Sequence, residues 1–147
     1  MKYIKNLLYL FTLSLLVFSC KEDPRPYRYY GNGYWTYTNG DAEVEYEDYV
    51  EIEFDIENNL TVDGSVKITD GLSIGNNINI NNGGKIEIDI PWDNDTVYID
   101  QNVNVNDTLN ILKGYVIVDG NFNLNSTGFV NVSDSARLVV HKNFNTS

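Results

Sequence analysis

Few side chains in this chain can do covalent chemistry, and their spacing keeps them apart. The sequence of 147 residues holds one cysteine, Cys20, and one histidine, His141. Nucleophilic catalysis needs a base within hydrogen-bond reach of the nucleophile and a third group to orient that base. No Ser-His-Asp set can be assembled here with a stated geometry, and His141, beside Lys142, reads as a surface side chain. The expectation is a protein that is not an enzyme.

Carboxylates are far more abundant. Between Arg28 and Lys67 lie ten of them and no basic residue. Glu43, Glu45 and Glu47 alternate along one strand-like stretch, and Glu51, Glu53 and Asp55 along the next. Aligned on one sheet face, these like charges would repel, and a divalent cation would relieve them. Oxygen ligands suit Ca²⁺, so this face is the candidate cation site, with Trp92 to Thr96 (WDNDT) a second, weaker one. No calcium-hand loop or Gly-Gly-x-Gly-x-Asp repeat is present, and the expected resident cofactor is none. Exposed aromatics are the remaining chemistry. Tyr34, Trp35, Tyr37 and Trp92 would make a stacking platform for a glycan.

The function of Cys20 follows from its position. Lys2 and Lys5 precede an apolar run, Leu7 to Phe18, of signal-peptide length and too short for a comfortable membrane span. Val17-Phe18-Ser19-Cys20 resembles the lipobox of bacterial lipoproteins. That resemblance implies cleavage after Ser19, a diacylglycerol on the Cys20 sulfur and an acyl group such as palmitate on its nitrogen. Two or three chains anchor stably, since each buried methylene contributes about 0.8 kcal/mol and one chain alone is marginal. The next residues, Lys21-Glu22-Asp23, resemble the Lys-acidic-acidic export signal of Bacteroidota surface lipoproteins. The implied location is the outer leaflet of the outer membrane, exposed at the cell surface. Three tripeptides resemble the Asp-Ser/Thr-aliphatic acceptor of Bacteroidota O-glycosylation, which implies Thr96, Thr108 and Ser135 as acceptors.

Charge narrows the partners further. The formal charge is −11; without Lys2 and Lys5 it becomes −13, from 8 basic and 21 acidic residues. Such a chain repels phosphate backbones, so nucleic acid is not expected as a partner. The single cysteine excludes an intrachain disulfide.

The elements that must position these residues are short strands. From Leu60 onward, apolar-x-apolar pairs begin at Leu60, Val66, Leu72 and Ile78, six residues apart each time. They continue at Ile86, Val97, Val103, Leu109, Val116, Phe122, Val130, Leu138 and Phe144, with one insertion around DIPWDNDT. In each unit the apolar positions point inward and the polar ones to water. Gly64, Asp70, Gly71, Gly75, Asn76, Asp119 and Gly120 fall at the bends. Repetition at so short a period predicts a single-stranded parallel β-solenoid, or β-helix, of four to five triangular rungs. The Asn residues at 77, 79, 81, 102, 104, 106, 121, 123 and 125 are placed to stack along its axis. The pattern resembles bactofilin-like solenoids and adhesin heads.

The chain thus divides into a signal peptide (1–19), a lipidated Cys and tether (20–33), a β-hairpin and strand cap (34–59) and an all-β solenoid (60–147). Asn39-Gly40 is the hairpin signal within the cap. The last strand carries Phe144 close to Ser147, so the far end is expected to be covered either by Phe144 itself or by a second molecule, in a weak end-to-end homodimer. The expected role is adhesin-like, structural or interactive, with an unknown protein or glycan partner. The competing expectation is a glycan-binding or carbohydrate-active accessory protein.

Overall fold

The computed structural model describes residues 35–91 and 95–147. Cys20, Lys21, Glu22, Asp23, Tyr34 and Trp92 lie outside the described residues. The described chain is all β, a parallel solenoid of about five turns that opens with one antiparallel strand pair.

Each turn contributes one strand to each of three faces. The first face stacks β2 (Asp41–Val44), β4 (Leu60–Val62), β7 (Ile78–Ile80), β10 (Val103–Val105), β12 (Phe122–Leu124) and β15 (Phe144–Thr146). The second stacks β3 (Tyr49–Ile52), β5 (Ser65–Ile68), β8 (Lys85–Asp89), the first part of β11 (Thr108–Val118) and β13 (Phe129–Val132). The third stacks Ile56, β6 (Leu72–Ile74), β9 (Thr96–Ile99), the second part of β11 and β14 (Ala136–Val140). The strand β11 serves two faces because it bends at Gly114, whose φ of 99° is in the left-handed region. Residues Val103 to Leu124 are therefore four faces of the coil in series.

Alternation explains the packing. The short strands bury their first and third apolar residues and turn the middle one outward, as in Leu60–Val62 and Ile78–Ile80. Twenty-five apolar side chains form one continuous core, Phe122 the largest among those fully buried. Full burial of an Ile, Leu or Val is worth about 1.5–3 kcal/mol. No single turn encloses its own side chains, so this stabilisation exists only in the stack. No polar or charged side chain among the described residues is buried.

The coil begins earlier than its regular repeat suggests. Ala42 pairs with Leu60, Val50 with Val66 and Ile56 with Ile74, all in parallel. Residues 41–56, assigned to the cap from sequence, thus build the first turn as well. The cap proper is β1 (Trp35–Thr38), antiparallel to β2 through the turn Asn39-Gly40, with φ of 54° and 84°. That turn needs positive φ at both centres, which Asn and Gly supply. Trp35 and Tyr37 pack against Phe54, ring centroids 5.5 and 5.9 Å away, and the three rest on the core as an aromatic lid.

Most bend glycines serve a different purpose from the one their type suggests. Gly64, Gly71, Gly75 and Gly120 have ordinary φ; among the described residues the left-handed glycines are Gly40, Gly83 and Gly114. At Gly120 a Cβ would collide with the carbonyl oxygen of Gln101 in the turn below. The corner stacks too closely for any side chain.

Candidate functional site

The solid interior leaves the three outer faces as the surfaces available for function, and their chemistry differs. The first face is an asparagine array. At the corner leading into each strand, Asp41, Asn59, Asn77, Asn102, Asn121 and Asn143 form one column. From Asp41 to Asn121 each Oδ1 accepts the next turn's Nδ2, at 2.8 to 3.1 Å. The same oxygen also accepts the next turn's backbone N–H, at 3.1 Å for Asn77 onto Asn59 and 2.9 Å for Asn121 onto Asn102. Asp41 ends the column where only an acceptor is required. A central column, Asn79, Asn104, Asn123 and Asn145, is joined by side chains alone, at 2.7 to 2.9 Å. In the third, Asn81 donates to Asp63 and Asn125 to Asn106, while Asn106 turns to the carbonyl of Ile80. A shallow depression of about 260 Å³ lies over this array at its far end, lined by Asn104, Asn123, Asn125 and Asn145 among others.

The second face carries the ion pairs. Lys67 lies 3.5 Å from Asp89 and 3.8 Å from Glu87, which is also 3.5 Å from Lys85. Desolvation alone would lower the pKa of Lys67; the carboxylates of Asp89 and Glu87 outweigh it and hold the ammonium above the usual lysine value. The third face mixes outward apolar residues with Ser73, Thr96 and Arg137. Tyr98, Tyr115 and Val139 project outward and exposed, with Ile117 half-buried between them.

The acidic residues do not share one sheet face. Strands β2 and β3 lie on different faces and do not pair. Glu43 points outward on the first face and Glu51 on the second, while Glu45, Glu47, Glu53 and Asp55 occupy corners. Glu53 accepts from the Thr69 hydroxyl at 3.3 Å, and Asp55 from the Ser73 N–H at 2.7 Å. Among the described residues no three His, Cys, Asp or Glu side chains are grouped to hold a metal ion.

The other expected sites are dispersed. Trp35 is half-buried in the lid. Thr96 is half-buried at the start of β9, and the Thr108 hydroxyl donates to Asp107 at 2.8 Å. Ser135 is exposed in the turn between β13 and β14. His141 meets Asp119 at 2.7 Å. Sequence reasoning missed Asp41, Asn59 and Asn143 of the corner column, Asn145 of the central one, and the outward apolar residues of the third face. Aligning the residue before each apolar pair would have found the corner residues; a run of three apolar residues in a two-residue period signals the outward apolar ones.

No protein-family model, curated protein or solved structure matches this chain. What fold and surface define is a five-turn parallel β-solenoid with three chemically distinct outer faces.

Proposed function

We propose that this protein is a surface-anchored, non-enzymatic lipoprotein whose solenoid head serves an adhesin-like, structural or interaction role. The observation that supports it most is the continuous core of 25 buried apolar residues, which makes the head a rigid bar presenting side chains outward. The sequence from Leu7 to Asp23 adds the anchor: a signal-like run, a lipobox-like cysteine and an acidic export-like signal. On this reading Cys20 carries the lipid and residues 21–33 tether the head to the outer membrane.

The test is fractionation. Cys20→Ala moves the protein into soluble fractions or leaves the precursor unprocessed. Replacing Lys21, Glu22 and Asp23 by Ala keeps it lipidated but protects it from protease added to intact cells. A Cys20→Ala chain that is still processed and still requires detergent would refute the anchor.

One observation favours glycan binding as a second reading. Asn104, Asn123 and Asn145 each spend one side-chain N–H on the column neighbour below and hold a second donor on the same amide. Loss of glycan-array binding in Asn104→Leu supports this reading; loss in Trp35→Ala, with folding intact, supports a platform at the lid.

A further inference from the structure

The second face has an edge that the first face lacks. On the first face β1 lies beneath β2 and covers the first turn. On the second face β3 pairs with β5 alone among the described residues, so its outer row of N–H and C=O groups is open. Proteins rarely leave such an edge exposed. The outward column above it also stops short. Glu87, Lys67 and Glu51 stack in register on successive turns with alternating charge, and Lys67 lies 3.8 Å from Glu87. The next position down that column calls for a cation, and the first turn, residues 41–57, contains no Lys or Arg of its own.

We propose that this edge is covered by the segment just before the described residues, Tyr27-Arg28-Tyr29-Tyr30, running antiparallel to β3. The place where the chain enters β1 selects this occupant. Trp35 pairs with Val44, at the end of β2 from which the chain turns through 45–48 into β3. The residues preceding Trp35 approach around that same corner, and Gly31-Asn32-Gly33 falls where they must bend. Continued without a slip, the register of β1 on β2 sets Tyr30 opposite Tyr49, Tyr29 opposite Val50, Arg28 opposite Glu51 and Tyr27 opposite Ile52. Opposite residues share a face. Arg28 then stands outward beneath Glu51 and supplies the missing cation. Tyr29 and Tyr27 stand inward beneath Val50 and Ile52, as Trp35 and Tyr37 stand beneath Val44 and Ala42. A slip of one residue would turn Arg28 in over the core. A slip of two would set Gly31 opposite Val50 or Pro26 opposite Glu51. Pro26, with no N–H to donate, ends the strand. Any separate peptide must compete with a segment tied beside its site at millimolar effective concentration. On the anchor reading above, docking leaves residues 21–26 as the tether, at most about 20 Å long, and the head stands on its first turn.

The test uses the full chain in detergent with Cys20→Ala. That change removes the native thiol and, on the anchor reading, the lipid, so failure of the docking is distinct from failure of the anchor. Opposite residues of an antiparallel pair stand about 4.5–5.5 Å apart at Cα, within disulfide reach. Arg28→Cys with Glu51→Cys closes an intramolecular disulfide under mild oxidation, mapped by peptide mass. Arg28→Cys with Tyr49→Cys, displaced two residues along the strand, closes at least about tenfold more slowly. Hydrogen exchange gives a readout without added cysteines. Arg28→Glu sets like charges opposite each other and speeds exchange of the β3 edge amides about fivefold. Arg25→Glu, the same charge change beyond Pro26, leaves them at the starting rate. No disulfide between positions 28 and 51, equal closure between 28 and 49, disulfides between molecules instead, or equal acceleration in the two charge variants would overturn the docking.

Discussion

Asn102 and Asn121 are bonded twice across consecutive turns: the Asn102 Oδ1 accepts both the Nδ2 of Asn121, at 3.0 Å, and its backbone N–H, at 2.9 Å. Asn104 and Asn123, two residues further on, share only the side-chain bond, at 2.7 Å. The two columns look alike in sequence and differ in what their loss leaves behind. Asn102→Ala strands the half-buried Asn121 backbone donor as well as an amide, and an unsatisfied donor costs about 1–3 kcal/mol when fully buried, less here. Asn104→Ala removes only side-chain bonds that water replaces, at about 1 kcal/mol. Urea denaturation of both variants measures the difference; equal losses would mean the backbone bond contributes nothing.

Backbone strain gives a second expectation. Glu47 sits at φ 68°, in the corner between β2 and β3, among Glu45, Asp48 and Glu51. A side chain in that region costs about 1–2 kcal/mol, and glycine avoids it, at some cost in unfolded-chain entropy. Glu47→Gly therefore stabilises the fold by up to about 1 kcal/mol, read as a raised Tm. Glu47→Ala keeps the strain while losing the same charge, so it separates the two causes. Equal gains in both would assign the effect to charge.

How much of this was legible depends on where the repeat is regular. Every apolar pair from Leu60 to Phe144 is found in a strand, because inward position follows from a two-residue period. The turn at Asn39-Gly40 was equally readable, since few residue pairs accept two positive φ values. The first turn was not. Ala42 is small, and the steps from Ala42 to Val50, Ile56 and Leu60 are uneven, so its acidic strands read as a hairpin face. They lie instead on different sides of the coil, which separates Glu43 from Glu51. Ile117 and Val139 were hidden in the runs VIV and LVV, where apolar character alone does not say which residue faces out. Gly120 was recognised as a bend residue, but its cause, the approach of the Gln101 carbonyl, belongs to the stacking of turns.

The ion pairs of the second face predict a pH dependence. The folded-state pKa of Lys67 is raised, so its contribution to stability is fully present below the unfolded lysine value of about 10.4 and disappears as pH rises through the folded value. At neutral pH Lys67→Met, which keeps an unbranched apolar side chain, loses that contribution, a few tenths of a kcal/mol for a partly exposed pair. The gap between wild type and variant should be constant from pH 7 to 9 and close above about pH 11. A gap that closes below pH 9 would assign the effect to a different group.

The far end of the coil supplies the last prediction. The rings of Phe122 and Phe144 stack nearly parallel, 7° apart with centroids at 4.9 Å. Phe122 is fully buried while Phe144 is 51% exposed. Phe144 thus continues the inward column of the first face and covers the last complete turn, without folding across the core as a plug. Phe122→Ala opens a cavity beneath that cover and costs about 3–5 kcal/mol of global stability. Phe144→Ala only thins the cover. Its cost is about 1 kcal/mol, close to what an aromatic pair contributes beyond area, and falls on local opening of residues 122–147. Hydrogen exchange distinguishes them: Phe144→Ala speeds exchange in β12 and β15 and leaves β4 and β7 at the wild-type rate, whereas Phe122→Ala speeds exchange throughout. Uniform acceleration in Phe144→Ala would mean that the open end is not an independent unit and that its ring holds the whole stack together.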